Sequence, residues 1–137
     1  MERRSRLAFL LLVLAQAAHS IEEYTTRLYE AFAPARFVSG LVSSDLSTGF
    51  LVVNAALVGF GVWCWAVPVR SGWRSARGLA WLWALLELGN GIGHAMLALS
   101  RGAYFPGALT APLLLVLAAW LVASLLRHAS RPGRAAA

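Results

Sequence analysis

The chain has 137 residues, of which 59% are hydrophobic and 13% charged, and its net charge is +6. The charged fraction is about half the ~25% usual in soluble domains, and a soluble chain this short could not bury so much apolar surface. An ordinary soluble domain is therefore excluded. All twelve basic residues are arginines gathered at the ends of apolar segments. A nucleic-acid-binding protein displays its basic residues on one polar face instead, so we expect no nucleic-acid partner.

The N-terminal segment has two interpretations. Residues 1–6 are rich in arginine and precede an apolar run over residues 7–18. Together with Ala15-Gln-Ala17, this pattern is typical of a secretory signal and its cleavage site. Alternatively, it is a first membrane helix that continues through a polar stretch and ends near Pro34. The local sequence does not separate the two.

Three further apolar segments follow, and each is long enough to cross a bilayer. They cover residues 48–68, 78–99 and 106–126, and a transmembrane helix needs about 20 residues. Residues 24–47 are the most polar part of the chain and predict a helix leaving the membrane, then a serine-rich loop. The sequence therefore predicts an all-α fold, a four-helix transmembrane bundle.

The arginines fall unevenly on the two sides of these spans. Nine lie before span one, between spans two and three, or after span four, and the other three are Arg27, Arg36 and Arg101. The positive-inside rule then places both termini in the cytoplasm. The tryptophans lie near the same ends, as an interfacial aromatic belt would. We expect a multi-pass protein of the cell membrane, with one domain over residues 1–128 and a short disordered cytoplasmic tail over 129–137.

Polar side chains inside these apolar segments are costly and mark candidate functional sites. Two clusters stand out, namely His19, Glu22 and Glu23 in the first segment, and Glu87, Asn90 and His94 in the third. The members of each cluster share a helix face. At ~1.5 Å rise per residue, both clusters fall in the outer half of the bilayer with Asn54, Tyr104 and Thr110. We predict a shared polar pocket there, although Asn54 and Thr110 also suit hydrogen bonds between helices.

Three motifs occur in order: His19-x-x-Glu22-Glu23, Asn90-x-x-x-His94 and Tyr104-x-Pro106-Gly107-x-x-Thr110. Over roughly residues 8–125 the chain resembles a family of small four-span bacterial membrane proteins of unknown function, named for the HXXEE motif. The resemblance implies that the N-terminal segment is retained as a helix and that these are the family's motif positions. It implies no reaction. Glu87 lies outside the motifs, so its role depends on its place in an apolar segment.

The predicted pocket favours an enzyme that acts on a lipid or isoprenoid-like substrate, with a buried Glu as acid and His or a second Glu as base. The catalytic candidates are His19, Glu22, Glu23, Glu87 and His94. The candidates for substrate binding or support are Asn54, Asn90, Tyr104 and Thr110. A metal site, a proton or ion relay, and a non-catalytic membrane subunit are the alternatives. Membrane lipids are the expected partners, and the sequence specifies no metal, cofactor or oligomeric state.

Overall fold

The computed structural model describes residues 1–129, and every regular element in that range is helical. The helices are α1 (Arg3–Thr25), α2 (Leu28–Ala31), α3 (Ala33–Val42), α4 (Leu46–Cys64), α5 (Ala76–Arg101) and α6 (Ala111–Ala129). The predicted all-α class is confirmed. Apart from its first residue, the predicted tail over 129–137 lies outside the described residues.

In the part of the chain that the structure describes, three helices are long and apolar enough to cross a membrane. They are α1, α5, and α4 together with a π-helical turn that continues it to Val69. Helix α6 is apolar too, but the part of it whose side chains the structure describes, Ala111–Arg127, is shorter. We expected a fourth span from residue 106, but residues 106–110 form turns and the helix begins only at Ala111. Within the described residues there are therefore three clear candidate spans, and the described part of α6 is a shorter apolar helix.

The first helix ends earlier than the sequence predicted. The hydroxyl groups of Thr25 and Thr26 donate to backbone carbonyls of the last turn of α1, and Arg27 adopts a left-handed backbone with φ 57°. The expectation of a helix ending near Pro34 was wrong. Pro34 instead lies in the first turn of α3, where its missing N–H costs no hydrogen bond.

Helix α3 packs closely against the start of α4. A Cβ placed on Gly49 would lie 2.1 Å from the backbone carbonyl oxygen of Ser39, so the contact requires glycine. Asp45 caps α4, because its carboxylate accepts from the backbone N–H groups of Ser47 and Thr48. The hydroxyl groups of Thr48 and Ser47, together with these N–H groups, lower the pKa of Asp45. The connection between the two helices is thereby fixed.

The four longest helices, α1, α4, α5 and α6, form a bundle. Helix α1 packs directly on α4 and α6, and α5 packs most extensively on α6. The side chains of α1 and α5 meet in the interior. Near the start of α1 this interior is apolar, where Phe9 and Trp83 pack edge to face with ring centroids 6.1 Å apart. Towards the end of α1 it becomes polar, and the candidate site lies there.

Candidate functional site

Three buried side chains converge between the ends of α1 and α5. Oε1 of Glu23 lies 3.0 Å from Nε2 of His94 and 3.2 Å from Nε2 of His19. The two imidazole rings meet edge to face with centroids 4.7 Å apart. His19 has no exposed surface, and Glu23 and His94 are each 6% exposed. We call His19, Glu23 and His94 the His–Glu centre.

The backbone fixes the tautomer of His94. Nδ1 of His94 lies 2.6 Å from the carbonyl oxygen of Pro106. A carbonyl oxygen only accepts hydrogen bonds, so Nδ1 carries the proton and donates it. In the neutral ring, Nε2 then presents a lone pair. That lone pair faces Glu23.

Glu22 does not join the His–Glu centre but holds the loop that covers it, residues 102–110 between α5 and α6, which we call the covering loop. Its carboxylate accepts from the Tyr104 hydroxyl at 2.7 Å and from the Leu109 N–H at 3.0 Å. It also accepts from the N–H and the hydroxyl of Thr110, at 2.9 and 2.5 Å. Four donors suit an ionised carboxylate, which only accepts. Partial burial and the neighbouring Glu22 raise the pKa of the Tyr104 phenol, so this hydroxyl stays a donor.

Thr110 links the Glu22 carboxylate to His19 and thereby sets which ring nitrogen of His19 carries the proton. The Thr110 hydroxyl gives its single proton to Glu22, and its oxygen lies 2.6 Å from Nδ1 of His19. Nδ1 must therefore be the donor in that bond. Nε2 of His19 is left with a lone pair, and among the side chains that the structure describes it has no hydrogen-bond partner although it is buried. Its 3.2 Å approach to Glu23 is a close contact without hydrogen-bond geometry.

Gly107 brings the covering loop down onto both imidazole rings. Its φ is +88°, in the left-handed region that glycine adopts readily. A Cβ at this position would lie 2.5 Å from Nδ1 of His94 and 2.8 Å from Cε1 of His19. Glycine is therefore required both by the backbone conformation and by the space available.

Glu87 lies in a separate polar group, about 10 Å from His94 along α5. We call Gln16, Ser20, Asn54 and Glu87 the Glu87 network. The wholly buried carboxyl of Glu87 lies 2.7 Å from the side-chain amide of Gln16. That amide lies 3.1 Å from the Ser20 hydroxyl, which donates to Oδ1 of Asn54 at 2.7 Å. The amide of Asn90 approaches Gln16 to 3.3 Å.

Counting protons identifies the state of the Glu87 network. If the nitrogen of Gln16 faces an ionised Glu87, the single Ser20 proton must serve two acceptors, the oxygens of Gln16 and Asn54. If the oxygen of Gln16 faces a protonated Glu87, then Glu87 donates to Gln16, Gln16 donates to Ser20, and Ser20 donates to Asn54. The second arrangement uses each of these protons once. It also avoids a charge in a fully buried site, so we assign it.

The predicted site residues thus fall into two groups rather than one pocket. The first group is the His–Glu centre (His19, Glu23 and His94) together with Glu22, Tyr104 and Thr110, which hold the loop over it. The second is the Glu87 network with its neighbour, and it contains Asn54, Glu87 and Asn90. Sequence reasoning missed Gln16, which is 1% exposed. Its spacing from His19, Ser20 and Glu23 is i, i+3, i+4 and i+7, which places all four on one face of α1. That periodicity could have identified it.

The fold and the site define a class of protein. It is all-helical, its apolar helices suit a membrane, and it holds a buried His–Glu centre between two of them. Residues 10–121 match the model of a family described as "Protein of unknown function with HXXEE motif". The chain belongs to this family, and the resemblance noted in its motifs is confirmed. Comparisons with curated proteins and with solved structures gave no match.

Proposed function

We propose that the protein is a membrane-embedded enzyme whose reaction centre is the His–Glu centre. The observation that carries this proposal is the convergence of Nε2 of His19, Nε2 of His94 and Oε1 of Glu23 in a buried site. Each of these atoms can accept a proton at one stage of a reaction and release it at another. A purely structural contact between helices would pair donors with acceptors, as the Glu87 network does.

A groove on the bundle supports a lipophilic substrate. It lies between α1 and α4 and has a cavity volume of about 270 Å³. Its walls are largely apolar and include Ala17, Ile21, Leu51 and Val58. Its polar lining comes from Ser20 and Asn54, and Ser20 directly follows His19. A lipid or isoprenoid chain entering from the bilayer would match these walls and would meet α1 at Ser20, a member of the Glu87 network that is next to His19 in the chain.

The membrane arrangement proposed with this function has four spans, formed by α1, α4, α5 and α6, in a single unit over residues 1–128. The bundle packing supports counting α6 as a span, since α6 packs on both α1 and α5. The distribution of arginines, nine against three, supports a cytoplasmic location for both termini. The His–Glu centre would then lie in the outer half of the cell membrane, with membrane lipids around it.

The test is an untargeted lipid comparison of a deletion strain that carries either the wild-type gene or the Glu23→Gln variant. We expect the deletion and Glu23→Gln strains to accumulate the same lipophilic compound, and the wild-type gene to remove it. Glu30→Gln is the matched control, because Glu30 is an exposed acid that pairs with Arg27 on the surface. Full restoration by Glu23→Gln, or lipid profiles that do not differ between deletion and wild type, would overturn the proposal.

A further inference from the structure

We propose that the His–Glu centre binds a divalent first-row transition-metal ion through Nε2 of His19, Nε2 of His94 and Oε1 of Glu23. The candidate ligand atoms of these three residues lie within 4.8 Å of one another. Two imidazole nitrogens and one carboxylate oxygen are the protein ligands of many catalytic zinc sites and of non-haem iron sites. This inference concerns metal binding and does not require the enzymatic role proposed above.

The protons available at the His–Glu centre do not satisfy its three acceptor atoms. Both Nδ1 protons are already donated, to Pro106 and to Thr110, so three acceptor atoms face one another with no donor between them. One added proton can join Glu23 to one histidine, but it leaves the other Nε2 buried and unpartnered, which is costly. Two added protons would place two charged rings 4.7 Å apart in a buried site. A single divalent cation satisfies all three atoms together.

The spacing of the candidate ligand atoms around Glu23 fits a first-row metal ion. Bonds of about 2.0–2.1 Å at a tetrahedral ion place adjacent ligand atoms about 3.3 Å apart, and at an octahedral ion about 3.0 Å apart. The two nitrogen-to-oxygen distances at Glu23 are 3.0 and 3.2 Å. Both therefore match the edges of a first-row coordination polyhedron, whereas Ca²⁺ takes six to eight oxygen ligands at longer distances.

Each histidine is also held in place through its other ring nitrogen. Metal-binding histidines commonly donate their other ring N–H to a carbonyl or a carboxylate, which fixes the ring and its tautomer. His94 donates to the Pro106 carbonyl, and His19 reaches the Glu22 carboxylate through the Thr110 hydroxyl. Glu22 and Thr110 are therefore positioning residues. A bound ion would lower the pKa of a coordinated water towards neutrality and so provide a proton-transfer group for the proposed reaction.

The experiment measures metal content of the full-length protein, purified in detergent without a histidine tag and without chelators. Elemental analysis should find about one ion per chain, and reloading a chelator-stripped sample separately with Zn²⁺, Fe²⁺ or Mn²⁺ identifies the preferred ion. We expect the variants His19→Ala, His94→Ala and Glu23→Gln each to bind at least about nine-tenths less metal per chain than the wild-type protein. His128→Ala is the matched control, because it removes the third histidine of the chain, about 27 Å from Thr110 along α6.

A second measurement guards against misfolded variants. Co²⁺ added to the stripped wild-type protein should give visible d–d absorption bands, and Glu23→Gln should keep the wild-type helical circular dichroism while losing these bands. Metal retention by all three ligand variants at the wild-type level would overturn the inference, as would a wild-type protein that holds under about a tenth of an equivalent after reloading with each ion. If a metal-free protein still removes the lipophilic compound, the proposed enzymatic activity holds and does not depend on a metal.

Discussion

At the scale of single residues, Thr110 is the link that orients His19. Its hydroxyl gives its proton to Glu22 and accepts from Nδ1 of His19. Thr110→Val keeps the shape and removes the link, so we expect metal affinity to fall by about 10–100-fold with unchanged helix content. A competition titration with a chromophoric chelator measures this. Thr25→Val, which removes a surface hydroxyl that donates to the Ile21 carbonyl, should leave the affinity unchanged. Equal affinities for all three proteins would contradict the linkage.

Gly107 makes a second residue-scale prediction. Gly107→Ala should cost about 1–2 kcal/mol from the left-handed backbone alone, and its Cβ would displace the two imidazole rings. Thermal unfolding in detergent should show a lower midpoint together with loss of metal. Gly89→Ala is the matched control, because a Cβ there meets nothing within 4 Å and alanine favours the helix by about 0.5–1 kcal/mol. A tolerated Gly107→Ala would mean that the loop does not lie against the rings.

The protonated carboxyl assigned to Glu87 leads to a third prediction at the scale of single residues. Glu87→Gln keeps a donor towards Gln16, so we expect a change in stability below about 1 kcal/mol, whereas Gln16→Leu should cost about 1–3 kcal/mol by leaving a buried carboxyl without its acceptor. Denaturant unfolding in detergent compares the two. In infrared spectra, Glu87→Gln should remove a protonated-carboxyl stretch that the wild-type protein shows near neutral pH. Absence of that band from the wild-type protein would contradict the assignment.

At the scale of elements, the contact between α3 and α4 depends on one glycine. A Cβ on Gly49 would meet the carbonyl group of Ser39, whose backbone cannot move aside as a flexible side chain would. Gly49→Ala should therefore separate the two helices at a cost of about 1–3 kcal/mol, seen as a lower unfolding midpoint and faster proteolysis in residues 26–45. Gly59→Ala lies on the same helix with nothing within 4 Å, and it should not destabilise the protein.

The elements also explain how the covering loop is built. The sequence predicted that the last span begins at residue 106, but residues 106–110 are turns held on Glu22 from α1. Hydrophobicity alone cannot distinguish an apolar turn from an apolar helix end. The decisive interaction joins residues 88 positions apart, which no local pattern contains.

At the scale of the whole molecule, the proposed orientation can be tested by labelling. In a Cys64→Ala background, we expect a cysteine at Ser44 to react with a membrane-impermeant maleimide in intact cells, and a cysteine at Ser71 to react only after the membrane is opened. Both positions are exposed: Ser44 lies in the bend before α4, and Ser71 lies in the last helical turn beyond the other end of α4. They are matched in residue type. The reverse labelling pattern would contradict a cytoplasmic location for the termini.

The sequence by itself determined the helical class, the apolar helices and the family. These depend on composition, on periodicity and on three ordered motifs, which are properties of the linear sequence and require no tertiary contact. It also identified His19, Glu22, Glu23 and His94, because polar side chains in apolar segments are conspicuous. Only the tertiary structure decided which of them meet. It joined His19, Glu23 and His94, assigned Glu22 to the covering loop, and paired Glu87 with Gln16. Helical spacing gives the face on which a side chain lies, but the rotation and depth of one helix against another determine its partner.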